Sequence, residues 1–342
     1  MERDSLFRET REFLIGPAIQ RQVLLVAGVQ YENHNEKLVT YCENRINFLW
    51  RKEPDLVCSI FDIAKGELKQ KRGKKGAWAT VKTYSSVSKK RNYTDKRFDK
   101  KHAGVISITD AYTFIIDIGR SAPGSLVEFS IFSHGWYGGP ILVNSMDTTP
   151  TSPFRDPHDK DGRGYKDFSP ANMPPADLRY FQSAFSPDGK SWMWGCNFAQ
   201  IYRQVLHRIV KTKGWYKKTK DIEVFTFSFG TDFASNYYTS DPAFFPSAPT
   251  TLTFRKTVAE IKDFFRRGIN YSYCQQLANA AKKPCFGGLP GTYAEPHKGG
   301  SLWIIPTKRP PQSANFSGYI GFYRIFMAMA TDPEKRNYGV YM

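Results

Sequence analysis

Four stretches of this 342-residue chain are apolar without alternation: QVLLVAGVQY (22–31), DLVCSIFDI (55–63), LVEFSIFSH (126–134) and SWMWGC (191–196). A strand with one wet face alternates apolar and polar residues, whereas a strand covered on both faces reads as a continuous apolar run. These runs therefore demand a sheet buried on both sides. Between the first two, Leu38, Tyr41, Cys42, Ile46 and Leu49 recur at helical spacing. Strand, helix, strand is the parallel unit of an α/β fold.

The same reading extends along the chain. GVISITDAYTFIIDI (104–118) has β character, DLRYFQSAF (177–185) is expected as a helix, and IEVFTFSFG (222–230) as a strand. Phe198, Ile201, Val205 and Ile209 form a helical stripe directly after Cys196. VAEIKDFFRRGI (258–269) reads as a helix running into YSYCQQLANAA, SLWIIP (301–306) as a strand, and 316–330 as an apolar tail with strand and helix. Residues 144–176, rich in Pro, Asp and Gly, read as a long surface loop. The fold class is α/β with a mostly parallel central sheet, and 1–342 is expected to be a single domain whose C-terminal part is 231–342.

Hydrophobic residues make up 41% of the chain and aromatics 15%, which excludes a disordered chain. No apolar segment reaches membrane-spanning length, and MERDSLFRETREF lacks the apolar stretch of a signal peptide. A cytoplasmic location, or delivery to another cell without a classical signal, is the expectation. The five cysteines (Cys42, Cys58, Cys196, Cys274, Cys285) are odd in number and lack zinc-knuckle spacing, which argues against a disulfide framework and a structural zinc. The net charge of +17 is concentrated: residues 65–101 hold 14 Lys/Arg against three acids, a surplus of 11. That segment, within a basic insertion placed at 65–102 that contains a possible hairpin, is a candidate polyanion site.

Two of the buried runs end at a reactive side chain next to a glycine. LVEFSIFS delivers His134 and Gly135, and SWMW delivers Gly195 and Cys196. Ligand sites of parallel sheets lie at the carboxyl ends of the strands. A thiolate nucleophile needs a base or a positive field beside it. His134 fits the base, a helix beginning after Cys196 would favour the thiolate, and the backbone amides of Gly135 and Cys196 are the candidate oxyanion donors.

An apolar strand ending in His-Gly, a spacer, then an apolar strand ending in Gly-Cys resembles the signature of the caspase-like (clan CD) cysteine peptidases. The separation here is 196 − 134 = 62 residues, with the 144–176 loop between them. The resemblance covers roughly 22–230. It implies a caspase-like three-layer sandwich and a cysteine endopeptidase acting on protein or peptide substrates through an acyl-enzyme. It further implies a substrate pocket beside the strand after the nucleophile strand, which makes Ser228 and Asp232 candidate specificity residues. Trp194, beside the dyad, is a candidate cleft residue. No cofactor is required for this chemistry.

Two features bear on regulation. RDPHDKDGRGYKD (155–167) carries Asp156, Asp159 and Asp161, candidate calcium ligands, although Pro157 and Phe168 fall on the first and twelfth positions of an EF-hand loop and exclude that motif. Calcium there, or a polyanion such as an inositol phosphate on the basic segment, is a candidate activator. CFGGLPGTYAE (285–295) lacks the Gly-Lys-Ser/Thr of a phosphate loop and reads as a turn or as a wall of the cleft. The alternative function is a non-catalytic polyanion- or nucleic-acid-binding protein using 65–101.

Overall fold

A computed structural model describes residues 20–29, 37–84, 108–136, 138–142, 167–197, 199–229, 241–245, 253–297, 301–304 and 313–342. Its centre is an eight-stranded sheet. The strands are β1 (Gln22–Ala27), β2 (Val57–Asp62), β3 (Glu67–Arg72), β4 (Ala79–Thr83), β5 (Leu126–Phe132), β8 (Phe185–Met193), β11 (Cys285–Gly287) and β14 (Gly339–Tyr341). The order is β14-β11-β8-β5-β1-β2-β3-β4. The five strands from β11 to β2 run parallel, while β14, β3 and β4 add antiparallel edges.

Both faces of the sheet are covered, as the unbroken apolar runs require. In β1, Leu24 and Val26 join one core while Val23, Leu25 and Ala27 join the other. The second core is closed by α1 (Leu38–Trp50), through Leu38, Tyr41, Cys42, Ile46 and Leu49, the five residues of the helical stripe. The first is closed by α2 (Ile108–Ser121), α3 (Pro175–Ala184), α4 (Gln200–Lys211), α5 (Val258–Tyr271) and α6 (Tyr273–Ala281). The last helix, α7 (Ser313–Phe326), supplies Tyr319, Phe322, Tyr323 and Phe326 to the first core and Ile320 to the second. Each fully buried aliphatic side chain of β1 contributes about 1.5–3 kcal/mol. No described helix is long and apolar enough to cross a membrane.

Three expectations change. Residues 108–118 are helical, not β: Ile108, Ala111, Tyr112, Ile115, Ile116 and Gly119 are the buried stripe of α2. Their spacing is helical, and the isoleucines that suggested a strand pack one face of the helix. The helix at 258 does not run through, because Ser272 ends α5 and caps α6, accepting from the Gln275 amide. Finally, the first part of the 65–102 segment is not an insertion outside the core. The β3–β4 hairpin continues the central sheet from β2. Residues 85–107 lie outside the described residues.

Candidate active site at the ends of β5 and β8

The register of β5 on β8 pairs Ile131 with Met193, and the Trp194 amide donates to the Ile131 carbonyl at 2.9 Å. His134 and Cys196 each stand three residues further on. The backbones remain in contact beyond the sheet. A Cβ built on Gly195 would lie 2.5 Å from the Ser133 carbonyl oxygen and 3.2 Å from the Gly135 nitrogen. One on Gly135 would lie 2.6 Å from Met193 Cε and 2.7 Å from the Cys196 carbonyl oxygen. The glycine beside each reactive residue is thus what lets the two strand ends touch.

After β5 the chain turns into a small hairpin, β6 (His134–Trp136) against β7 (Gly139–Ile141). This hairpin is fastened to the end of β1: the Val29 amide donates to the Leu142 carbonyl and the Gly28 amide to Phe132. His134 is half-buried and sits on rigid elements on both sides.

Cys196 is half-buried, whereas Cys42, Cys58, Cys274 and Cys285 are buried. Burial pushes the thiols of Cys42, Cys58 and Cys285 well up, which keeps them protonated and inert. The sulfur of Cys196 instead accepts the Ala294 amide at 3.3 Å, and its thiol donates to the Ala294 carbonyl at 3.6 Å. Helix α4 does not begin at Cys196 but at Gln200, with Ala199 as its N-cap. The amide facing the sulfur therefore comes from β12 (Ala294–His297), not from that helix. Phe198, placed in the stripe by its spacing, lies outside the described residues.

Asn197, which sequence reasoning did not single out, fastens this arrangement. Its amide donates to the Thr292 carbonyl at 3.2 Å, its carbonyl accepts the Gly291 amide at 2.8 Å, and its side-chain Nδ2 donates to the Gly288 carbonyl at 2.7 Å. The 285–295 stretch, read as a turn or a cleft wall, is thereby laid along Cys196. Next to it, Arg203 donates to the Tyr293 hydroxyl at 2.6 Å, and the Tyr319 hydroxyl meets His207 Nδ1 at 3.3 Å. Burial, then the neighbouring Lys211, Arg208 and Arg203, lowers the pKa of His207.

The chain matches no family model, no curated protein and no solved structure.

Of the remaining candidates, Trp194 and Ser228 lie among the described residues. Trp194 is 1% exposed. Its ring stacks on Trp192 at 4.4 Å and on Phe132 at 5.2 Å, and its Nε1 donates to Ser130. It packs the core and does not line a cleft, because alternation along β8 turns 192 and 194 to the same buried face. Ser228 ends β9 (Val224–Ser228), which among the described residues pairs with β10 (Thr253–Thr257) alone, in a separate ribbon. The strand beside β8 on its far side is β11. Asp232, Asp156, Asp159 and Asp161 lie outside the described residues. Among the described residues no cluster of three metal-ligating side chains occurs.

Proposed function

We propose that this chain is a cysteine endopeptidase of caspase-like type, with Cys196 as nucleophile and His134 as general base and acid. One observation carries the reading: the β5–β8 register brings the ends of two rigid buried strands, one bearing a histidine and the other a half-exposed cysteine, into backbone contact. In this reading the sheet and its two helical layers are the caspase-like sandwich.

The chemistry follows from the groups present. The Cys196 sulfur, its proton passed to His134, attacks the scissile carbonyl. A bond forms between sulfur and carbon, and the carbonyl oxygen becomes an oxyanion facing the Gly135 and Cys196 amides. Collapse expels the amine, which takes the proton from His134. Water, deprotonated by the same histidine, then hydrolyses the thioester and frees the thiol. The Ala294 amide donates to the sulfur and the Ala294 carbonyl accepts from the thiol, so β12 holds the nucleophile in place until His134 takes its proton.

The test is a labelled iodoacetamide on native protein. Fast alkylation at neutral pH that maps to Cys196 and slows at least tenfold in His134→Ala supports the dyad. Labelling of Cys196 no faster in wild type than in that variant overturns it. With the dyad in place, cleavage of a peptide library lost in Cys196→Ala separates a peptidase from a merely reactive thiol.

A further inference from the structure

The β3–β4 hairpin forms one edge of the central sheet, with β1 and β2 between it and the dyad strands β5 and β8. Its turn is pinned, since the Gly73 amide donates to the Leu56 carbonyl at 3.0 Å and the Lys74 amide to Pro54 at 2.7 Å. That docks the Lys74–Lys75 turn against the loop that follows α1, where Arg51 and Lys52 are exposed. Residues 65–84 carry seven Lys/Arg and a single acid, Glu67. Of the acids close by, Glu43 pairs with Lys69, Glu53 with Arg21 and Glu67 with Lys65, and Asp55, exposed beside the turn, offsets one of its cations.

Aromatic rings interleave with these cations. Trp78, half-buried at the start of the second strand, lies 6.5 Å from Trp50, with the rings tilted by 46°. Lys69 Nζ sits 5.1 Å from the Trp78 ring, and Lys71 Nζ sits 4.8 Å from the Trp50 ring. Trp78 packs against the second core beside Trp50, which fixes its ring and leaves part of it exposed. A partly exposed indole held rigidly among cations is what stacks on an unpaired base while the lysines meet the phosphates. A duplex hides its base faces, and a small polyphosphate has none.

We infer that the basic face formed by the β3–β4 hairpin and the end of α1 binds single-stranded nucleic acid, with Trp78 as the stacking platform. Recognition is of backbone charge and a base face, so it has little sequence preference. The inference stands independently of the chemistry at Cys196.

The experiment is fluorescence anisotropy of a labelled 20-nucleotide single-stranded DNA of mixed sequence, on the full chain, with the matched duplex and heparin as comparison probes. The single strand is expected to bind more tightly than the duplex and to quench tryptophan emission. The logarithm of its binding constant should fall with the logarithm of salt at a slope of about −3, from roughly four phosphates neutralised. Lys74→Glu with Lys75→Glu, both exposed turn positions, should lower affinity for every probe at least tenfold and leave Cys196 alkylation unchanged. Trp78→Ala should weaken the single strand about tenfold and leave heparin unaffected. Trp78→Phe, which keeps a ring against Trp50, should restore most of the loss if stacking is the cause. Absence of single-strand binding at low salt overturns the inference. So does equal binding of strand and duplex, or a Trp78→Ala effect that is equal on strand and heparin.

Discussion

Ile131 and Met193 are register partners on adjacent parallel strands, and His134 and Cys196 follow each of them by the same three residues. The register sets the two strand ends level, and the short segments that follow them carry His134 and Cys196 just past the end of the sheet. Beyond the strand ends, the β6–β7 hairpin is tied to Val29 after β1, and Asn197 is tied to the 288–292 segment. The alignment rests on two glycines whose missing side chains make room for the facing backbone.

That dependence gives the first prediction. Gly135→Ala must push its new methyl against Met193 Cε and the Cys196 carbonyl oxygen, and Gly195→Ala against the Ser133 carbonyl oxygen. Backbone cannot yield as a flexible side chain does, so the strand ends separate by a few tenths of an ångström or more. Each variant should keep the far-ultraviolet circular dichroism of wild type and lose about 100-fold in any Cys196-dependent turnover, the usual effect of a misplacement near 1 Å. Wild-type rates of Cys196 alkylation and cleavage in both variants would show that the contact is not needed.

The Ala294 amide gives the second. A hydrogen bond to a charged partner contributes about 1.5–3 kcal/mol. Ala294→Pro removes that donor. Alkylation of Cys196 at pH 7 should slow by about tenfold or more, while alkylation at pH 10, above the ordinary thiol pKa of about 8.5, should change little. Equal slowing at both pH values would mean that the variant displaces β12 bodily and blocks access to the sulfur.

His207 gives a pH dependence. Its folded pKa lies below the ordinary value of about 6.5 because burial and the cations Lys211, Arg208 and Arg203 oppose its charging. The unfolded chain therefore takes up its proton first as pH falls. The stability tied to this group is fully present above about pH 6.5 and declines as pH drops through that value towards the lower folded one. In His207→Gln the urea midpoint should vary less between pH 7.5 and 5.5 than in wild type. An unchanged slope would assign the dependence to other groups.

How much of this was legible in the sequence depends on the kind of signal. The runs at 22–27, 57–62, 126–132 and 191–193 announced themselves because burial on both faces leaves few polar positions, whereas the first part of β8, with Pro187 and Asp188 exposed, carried no such signal. The stripe Leu38, Tyr41, Cys42, Ile46, Leu49 did so through its period. Helix α2 was misread because Ile108, Ile115, Ile116 and Ile118 combine β-branched shape with helical spacing. Its place in the fold is decided by the crossover to the parallel strand β5. Pairing across long stretches of chain was invisible. Nothing local in CFGGLPGTYAE says that β11 pairs with β8, or that Ala294 reaches Cys196 across 98 residues. Asn197 escaped notice for the same reason, since its three bonds all go to backbone groups of that distant segment. The position of Trp194 could have been inferred: alternation from the buried Trp192 puts it on the core face.

The deepest charge in the sheet yields the last prediction. Glu128 on β5 is fully buried and binds Arg45 of α1 through two bonds of 2.7 Å, while Arg45 also reaches Glu334 at 2.8 Å. The guanidinium lies 5.2 Å from the rings of both Trp192 and Trp194, and Ser130 donates to Glu128 while accepting from Trp194. Burial alone would raise the Glu128 pKa, but Arg45, with Lys190 and Ser130, holds it below the ordinary carboxylate range. Its stabilising contribution is therefore present above about pH 4.5 and lost as pH falls through the lower folded value. Glu128→Gln removes one partner and leaves Arg45 buried with Glu334 alone, which should cost about 3–5 kcal/mol. Urea unfolding at pH 7 reads the loss directly. An acid titration of the variant should show a shallower decline between pH 5 and 3 than wild type. A double change to apolar residues, Glu128→Leu with Arg45→Met, should recover much of the loss, because no unpaired buried charge then remains. A double variant no more stable than Glu128→Gln would show that the ion pair is needed for the packing of Trp192 and Trp194 beneath the dyad, and not merely tolerated there.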